Sequence, residues 1–396
     1  MKTRVMVLFG GQSVEHEVAI ISAVQAMNYL DTEKYDVLPV YITKEGKMLY
    51  SKEFIDINVF KRRKLSELDS VYQSVVVTLV DGKPAIVGTH RKKGIKKCEV
   101  ISEVDVALPV VHGTNCEDGT LQGWLELLGI PYAGCDVMSS AIGMDKDLFK
   151  LALLAAELPT LPHMAFRAKQ WSAQRDEIIA KIENKFGYPV IVKPANLGSS
   201  IGISKAKNQN ELVDAIDLAT SFAQKVLVEH AISNLREINC SVLGDADDCA
   251  ASECEEPLNY DDVLSFSDKY LSNGASKGMT SLKRRLPADI SDEKKAEIQQ
   301  ISVDVFKLIG AAGVVRIDYL LDCDSDKVYV NEINTIPGSL AFYLWEATGI
   351  KYPQMLDNLI DLAFKRQRTK QSLVYTYESN ILEGAGGFKG AKGSKM

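Results

Sequence analysis

Two runs near the C-terminal end carry polar side chains where buried strands normally carry aliphatic ones. "VVRIDYLLD" (Val314 to Asp322) contains Arg316 and Asp318, and "VYVNEINTIPGS" (Val328 to Ser339) contains Glu332 and Asn334. The short polar connection "DCDSDK" between them predicts an antiparallel pair. On each run the polar residues are two apart, so they share one strand face. Asp318, Glu332 and Asn334 would then offer three oxygen ligands, the chemistry of a hard divalent cation. Pro337-Gly338 stops the second strand.

A second cluster suits phosphate. In "KPANLGSSIG", Lys193 ends an apolar strand, and a loop of small residues that includes Ser199 and Ser200 follows. The backbone N–H groups of such a loop can close over phosphates. The spacing is not that of a Walker A loop, and another strand, "IGISKA", comes next, so the pattern predicts a hairpin-like lid over one lysine. Taken alone, a strand-end lysine is usually only snorkelling. Lys146, in "MSSAIGMDKDLFK", sits near a helix start, where N–H groups and a cation can meet an anion together. The strand "KVLVEHAI" ends in Glu229 and His230, with Ile232 just beyond. A strand edge there can pair an adenine amino group through its carbonyls, and Glu237, a few residues on, can hold ribose hydroxyls. By itself Glu237 reads as a surface strand residue.

The chain has 396 residues, 46% hydrophobic and 25% charged, which suggests two or three domains. Lys and Arg number 46 against 53 Asp and Glu, a net charge of −7. That balance argues against non-specific nucleic-acid binding but permits a locally basic pocket. No apolar run reaches membrane-spanning length, and "MKTRVMVLFGG" leads straight into a strand without a signal-type h-region. The seven cysteines form no C-x-x-C pair and read as free thiols in a reducing compartment. A cytoplasmic protein without membrane or nucleic-acid partners is expected.

Strands alternating with helices in the first region predict a parallel sheet covered by helices. The basic runs "KRRK" and "HRKKGIKK", inside the charged stretch from 44 to 97, read as solvated loops or hairpin edges, and "SLKRR" (281–285) as solvated charge. The expected divisions are 1–143, 144–233 and 234–370, with a Gly/Lys-rich mobile tail at 371–396. The aperiodic stretch from 258 to 287 reads as a functional loop or as disorder.

Strand-Lys-Pro, a glycine lid, a strand-end glutamate, then Arg-x-Asp and Glu-x-Asn on paired strands, in this order, resembles the ATP-grasp enzymes. "LFGGQSVEHEVAIISA", "VHGTNCEDGTLQGWLELLGIPYAG" and "MDK" narrow the resemblance to D-alanine–D-alanine ligases, over nearly all of the chain to about Arg368. The resemblance implies an α/β ATP-grasp fold, with an N-terminal parallel α/β domain and central and C-terminal α+β domains that clamp ATP. It implies ligation of two D-alanine molecules through an acyl phosphate for peptidoglycan precursor synthesis, usually by a homodimer. Asp318, Glu332 and Asn334 would hold two Mg2+ or Mn2+. Lys146, Lys193, Ser199, Ser200, Glu229, His230, Ile232, Glu237 and Lys269 would contact ATP. Arg316 and the Gly338 N–H would form the oxyanion hole. Glu15 would anchor the first D-alanine's ammonium, with His112 close to the same substrate, and Tyr270 would bond Ser199, which in turn meets Glu15. Tyr270 also favours an amine acceptor. One departure stands out: these ligases commonly place a serine five positions after the glycine, and this chain has Tyr343. Tyr343 or Ser339 would then meet the acceptor's carboxylate, and the acceptor could be D-serine or another small D-amino acid. A regulator that binds nucleotide without turnover is the remaining alternative.

Overall fold

Near-continuous apolar runs make the centre of the first sheet. The computed structural model describes residues 2–92, 95–198, 201–258, 284–376 and 379. The expectations for Ser199, Ser200, Lys269 and Tyr270, for most of the 258–287 stretch and for most of the tail therefore lie outside the described residues. In the first sheet β1 (Thr3–Gly10), β2 (Tyr35–Ile42), β3 (Met48–Tyr50), β4 (Gln73–Val80), β5 (Lys83–Lys92), β6 (Ile95–Glu103) and β7 (Val106–Val111) lie in the order β6-β5-β4-β3-β2-β1-β7. All six residues of β7 are buried, as a strand covered on both faces requires.

Only β2-β1-β7 is parallel. The strands β3 to β6 add an antiparallel meander, so the sheet is mixed and the parallel expectation holds for its inner part alone. The stretch from 44 to 97 supplies β3 to β5 and the start of β6. Its signal is period two: in β4, Val75 and Val77 are buried while Val76 and Leu79 are exposed. The described residues of the "HRKKGIKK" segment, 90–92 and 95–97, pair β5 with β6 at the sheet edge, one of the two places that its charge predicts.

The second sheet contains β8 (His163–Arg167), β9 (Val190–Pro194), β10 (Ser204–Ala206) and β11 (Lys225–His230), ordered β10-β9-β11-β8. The predicted hairpin is the antiparallel β9–β10 pair. The third sheet, ordered β14-β13-β12-β15-β16, contains β12 (Leu235–Gly244), β13 (Cys249–Pro257), β14 (Arg284–Arg285), β15 (Gly313–Asp322) and β16 (Lys327–Asn334).

Two helices tie the sheets together. The helix Tyr352–Gln371 sends Met355, Leu356, Leu359 and Ile360 into the core of the first sheet. The helix Lys146–Ala155 sends Phe149 and Leu153 into the core of the third. The site described next is thus fixed by contacts distant in sequence. Among the described residues no helix is long and apolar enough to cross a membrane, and all seven cysteines are free.

Candidate active site

The antiparallel pairing of β15 and β16 sets Arg316 opposite Asn334 and Asp318 opposite Glu332. All four share a face, as their spacing predicts. The Arg316 guanidinium grips Asp318 with both arms, Nε to Oδ1 at 2.6 Å and Nη2 to Oδ2 at 2.7 Å. The Asn334 amide donates to the same carboxylate at 3.0 Å. Against the cost of burial, the Asp318 charge holds the Arg316 guanidinium firmly protonated. Glu332 pairs with the Lys146 ammonium at 3.1 Å.

Lys146 opens its helix, but the helix end offers it no help with an anion. The Asp145 carboxylate accepts from the N–H groups of Asp147 and Leu148, and the N–H of Lys146 itself donates to the Ala195 carbonyl. The ammonium alone faces the site, fixed by the Leu197 carbonyl at 2.9 Å as well as by Glu332. That corrects the expectation of a combined helix-end and lysine site: a side-chain cap already satisfies the dipole.

Lys193 donates to the Asn331 side chain at 2.9 Å and pairs with Glu229. A third lysine, Lys150, pairs with the other Glu229 oxygen at 3.0 Å and donates to Thr160 at 3.1 Å. Both Lys150 and Glu229 have side chains only 1% exposed. Burial opposes the Glu229 charge, yet the two ammonium groups overcome it and hold its carboxyl down to about 2. The Glu229 side chain is therefore the ionic floor of a pocket also lined by His230, Ile232, Glu237, Asp318 and Glu332. Neither Lys150 nor Asn331 was singled out from the sequence. The i+4 spacing from Lys146 on one helix face could have found Lys150. Alternation places Asn331 on the face opposite Glu332, and the register shift between β15 and β16 leaves it without a register partner there.

A second pocket, lined by Glu15, Gly113, Glu117, Lys146, Gly198, Glu332 and Asn334, shares Lys146's partner Glu332 with the first. Glu15 caps no helix N–H. Its carboxylate lies between the Gly113 turn and Gly198, where a Cβ on either glycine would approach Oε2 within 2.8–2.9 Å. Gly113, at φ +76°, also adopts a left-handed backbone that favours glycine, whereas a Cβ at Gly198 would only displace the carboxylate.

Both ring nitrogens of His112 bond within the protein. Nδ1–H donates to the Ile336 carbonyl at 2.8 Å, which leaves Nε2 to accept from the Ser22 hydroxyl at 3.1 Å. Burial lowers the His112 pKa and favours this neutral form. Ser22 Oγ in turn accepts from the Ser339 N–H at 2.9 Å. Glu117 completes the brace, accepting from the N–H groups of Gly113 at 2.8 Å and Ile336 at 2.9 Å. Burial, then the Glu15 charge, push the Glu117 carboxyl up to about 8. The braced turn is strained: Ser339, Leu340 and Ala341 have φ of 51°, 54° and 51°. Three consecutive left-handed non-glycine residues cost about 1 kcal/mol or more each. Glu117 lay within the "HGTNCEDG" motif, but nothing local marked its reach to Ile336.

"SLKRR" is not simply solvated. Arg284 has a side chain 13% exposed, bonds Glu255 at 3.0 Å and lies over the Tyr343 ring at 4.0 Å. The Tyr343 hydroxyl donates to Glu255 at 2.6 Å, and burial together with the Glu255 charge keeps it protonated.

Comparison with known proteins covers most of the chain. The model described as D-ala D-ala ligase N-terminus matches residues 4–135, and the one described as D-ala D-ala ligase C-terminus matches 153–361. A D-alanine–D-alanine ligase from Caldicellulosiruptor bescii is 41% identical over 386 residues, covering 95% of this chain and 99% of that relative. One from Acetivibrio thermocellus is 40% identical, covering 92% and 96%. Among solved structures, the D-alanine-D-alanine ligase from Coxiella burnetii has a TM-score of 0.75 at 30% identity, covering 93% of this chain and 97% of the other. The VanG D-Ala:D-Ser ligase from Enterococcus faecalis also has a TM-score of 0.75, at 31% identity, covering 92% and 100%.

Proposed function

The chain belongs to the D-alanine–D-alanine ligase family, and from that premise we propose what each part of the site does. The activity is ATP-dependent joining of two D-alanine molecules for cell-wall synthesis, on an ATP-grasp fold. A carboxylate is a poor electrophile until its oxygen becomes a leaving group. The γ-phosphoryl of ATP therefore passes to the first D-alanine's carboxylate, the second D-alanine's amine attacks the acyl phosphate, and phosphate departs.

Lys146 and Lys193 hold the transferring phosphates, a task of positioning and charge neutralisation. The rigid Lys150–Glu229–Lys193 floor supports that reading, because it fixes Lys193 beneath the lid. His230, Ile232 and Glu237 take the nucleoside, and Ser199, Ser200 and Lys269 complete its phosphate contacts. Arg316 and the Gly338 N–H stabilise the oxyanion, a preorganised charge effect that is often the largest catalytic term. Glu15 anchors the first D-alanine's ammonium, with Ser199 and Tyr270 linked to it. His112 acts on the same substrate through the turn it braces.

Asp318, Glu332 and Asn334 fit Mg2+ or Mn2+: all three offer hard oxygen, and the two carboxylates face each other across the strand pair. Among the described residues no three His, Cys, Asp or Glu side chains cluster, so phosphate oxygens would complete the coordination. Bound there, the ions would neutralise phosphate charge. The divisions at 1–143, 144–233 and 234–370, a cytoplasmic location and a homodimer are part of the same reading.

The observation that carries it is the Arg316–Asp318–Asn334–Glu332 face, flanked by Lys146 and Lys193. The test is phosphate release from Mg-ATP with D-alanine, repeated with D-serine, with products identified by mass spectrometry. D-alanyl-D-alanine is expected as the main product. A mixed product formed only with D-serine would move the acceptor to the second reading, which Tyr343 favours. Arg316→Ala should lower kcat about 100- to 1,000-fold with little change in KM; a near-normal kcat would remove Arg316 from the oxyanion hole.

A further inference from the structure

The sequence offers Tyr343 or Ser339 to the acceptor substrate's carboxylate, but the Tyr343 hydroxyl is taken by Glu255, and the far end of the third sheet offers another receptor. Along that sheet Glu332 lies opposite Asp318, Asp318 opposite Asn239, and Asn239 opposite Glu255. Pro257, two residues past Glu255, lies opposite Arg284 on β14. Directly opposed residues share a face, as do residues two apart. Arg284 and Glu255 therefore stand on the same face as Asp318 and Glu332, at the edge away from the Lys146 end.

The Glu255 carboxylate is fully engaged. It accepts from Arg284 Nη1 at 3.0 Å, Tyr343 at 2.6 Å and the Asn239 amide at 3.0 Å. Tyr343 has thus already given its only proton, so its hydroxyl has none to offer a substrate carboxylate. Arg284 differs. Its second amino nitrogen, Nη2, is closed to solvent and meets no acceptor among the described residues. The Tyr343 ring fixes the plane of the guanidinium from one side. A buried, unpaired N–H of a charged group is costly, and its planar fork matches a carboxylate.

We propose that Arg284 is the receptor for the carboxylate of the acceptor amino acid, with Glu255 and Tyr343 as the residues that position it. This rests on the ligase reading given above. The anion is not a nucleotide phosphate, because the phosphate-holding lysines stand at the opposite edge of the sheet. Tyr343, five residues after Gly338 and within electrostatic reach of both Arg316 and Arg284, joins this edge to the transfer centre. The ligand class is a small D-amino acid with a free α-carboxylate.

The test separates the two half-reactions. Acyl phosphate made from D-alanine and ATP is trapped as hydroxamate with hydroxylamine, and the acceptor KM is read from dipeptide formation. Arg284→Gln would leave Glu255 buried without its cation. The double variant Glu255→Gln/Arg284→Gln removes both charges and avoids that penalty. Both variants should raise the acceptor KM about 10- to 100-fold while hydroxamate yield stays within about twofold. The wild-type protein should use D-alaninamide, which lacks the carboxylate, far less well than D-alanine. A wild-type acceptor KM in the double variant would overturn the assignment, as would equal use of D-alaninamide by the wild-type protein. A wild-type protein that makes neither hydroxamate nor dipeptide would instead overturn the ligase reading, and this inference with it.

Discussion

Glu229, on the floor of the nucleotide pocket, and Glu117, behind the donor cradle, are both shut away from water, yet their carboxyls are driven in opposite directions. Glu229 is held near 2 because Lys150 and Lys193 flank it, and Glu117 is pushed to about 8 because burial and the Glu15 charge face it. Burial is common to both, so the neighbouring charge decides the sign. The two regions serve different needs. A floor beneath a polyanion benefits from fixed ionic groups. A brace behind a turn benefits from a group that can hold two backbone N–H donors without adding a second full negative charge beside Glu15.

A large effect is expected at the ionic floor. Glu229→Gln leaves two buried ammonium groups without a counter-charge and should destabilise the protein by about 3–5 kcal/mol. Urea unfolding would measure it, and a loss below about 1 kcal/mol would show that the triad does not act as a closed ionic unit. The brace is sharpened by pH. A carboxyl with a higher pKa folded than unfolded binds its proton more tightly in the folded chain. The Glu117 contribution is therefore full below about 4.5 and lost as pH rises through about 8. Wild-type stability minus that of Glu117→Gln should fall across that window, by about 5 kcal/mol. A flat difference curve would mean that Glu117 is ionised throughout. The smallest expected effect is at Ser22. Ser22→Ala removes the acceptor for the Ser339 N–H and the donor to His112, a cost of about 1–2 kcal/mol. It should lower kcat several-fold and leave the KM for ATP unchanged, whereas an altered KM for ATP would place the brace in the nucleotide pocket instead.

The two regions also differ in how legible they were. Lys193, Glu229 and Lys146 stood out by strand ends and a helix start, whereas Lys150 was not singled out although it lies at i+4 from Lys146. The metal-type face was legible because a short turn joins β15 to β16 and makes their register local. The brace was not legible in this way. Glu117 reaches Ile336 across 219 residues, and Ser22 reaches Ser339 across 317. Arg284 shows the same limit from the other side: in a run of basic residues it reads as solvated charge, yet it pairs with Glu255 and packs on Tyr343, both distant in the chain.

Residue types and their spacing fix which chemical groups the protein has, their order along the chain and, within each strand or helix, the face they share. Those properties follow from backbone periods of 2 and 3.6 residues, which act over a few positions. Partners come from the folded chain: which carboxylate two lysines share, which one is left beside another carboxylate, and which arginine has an amino nitrogen with no acceptor among the described residues. Pairing inside a closed interior depends on burial and on contacts between distant segments, and a pattern that extends four residues carries no record of either.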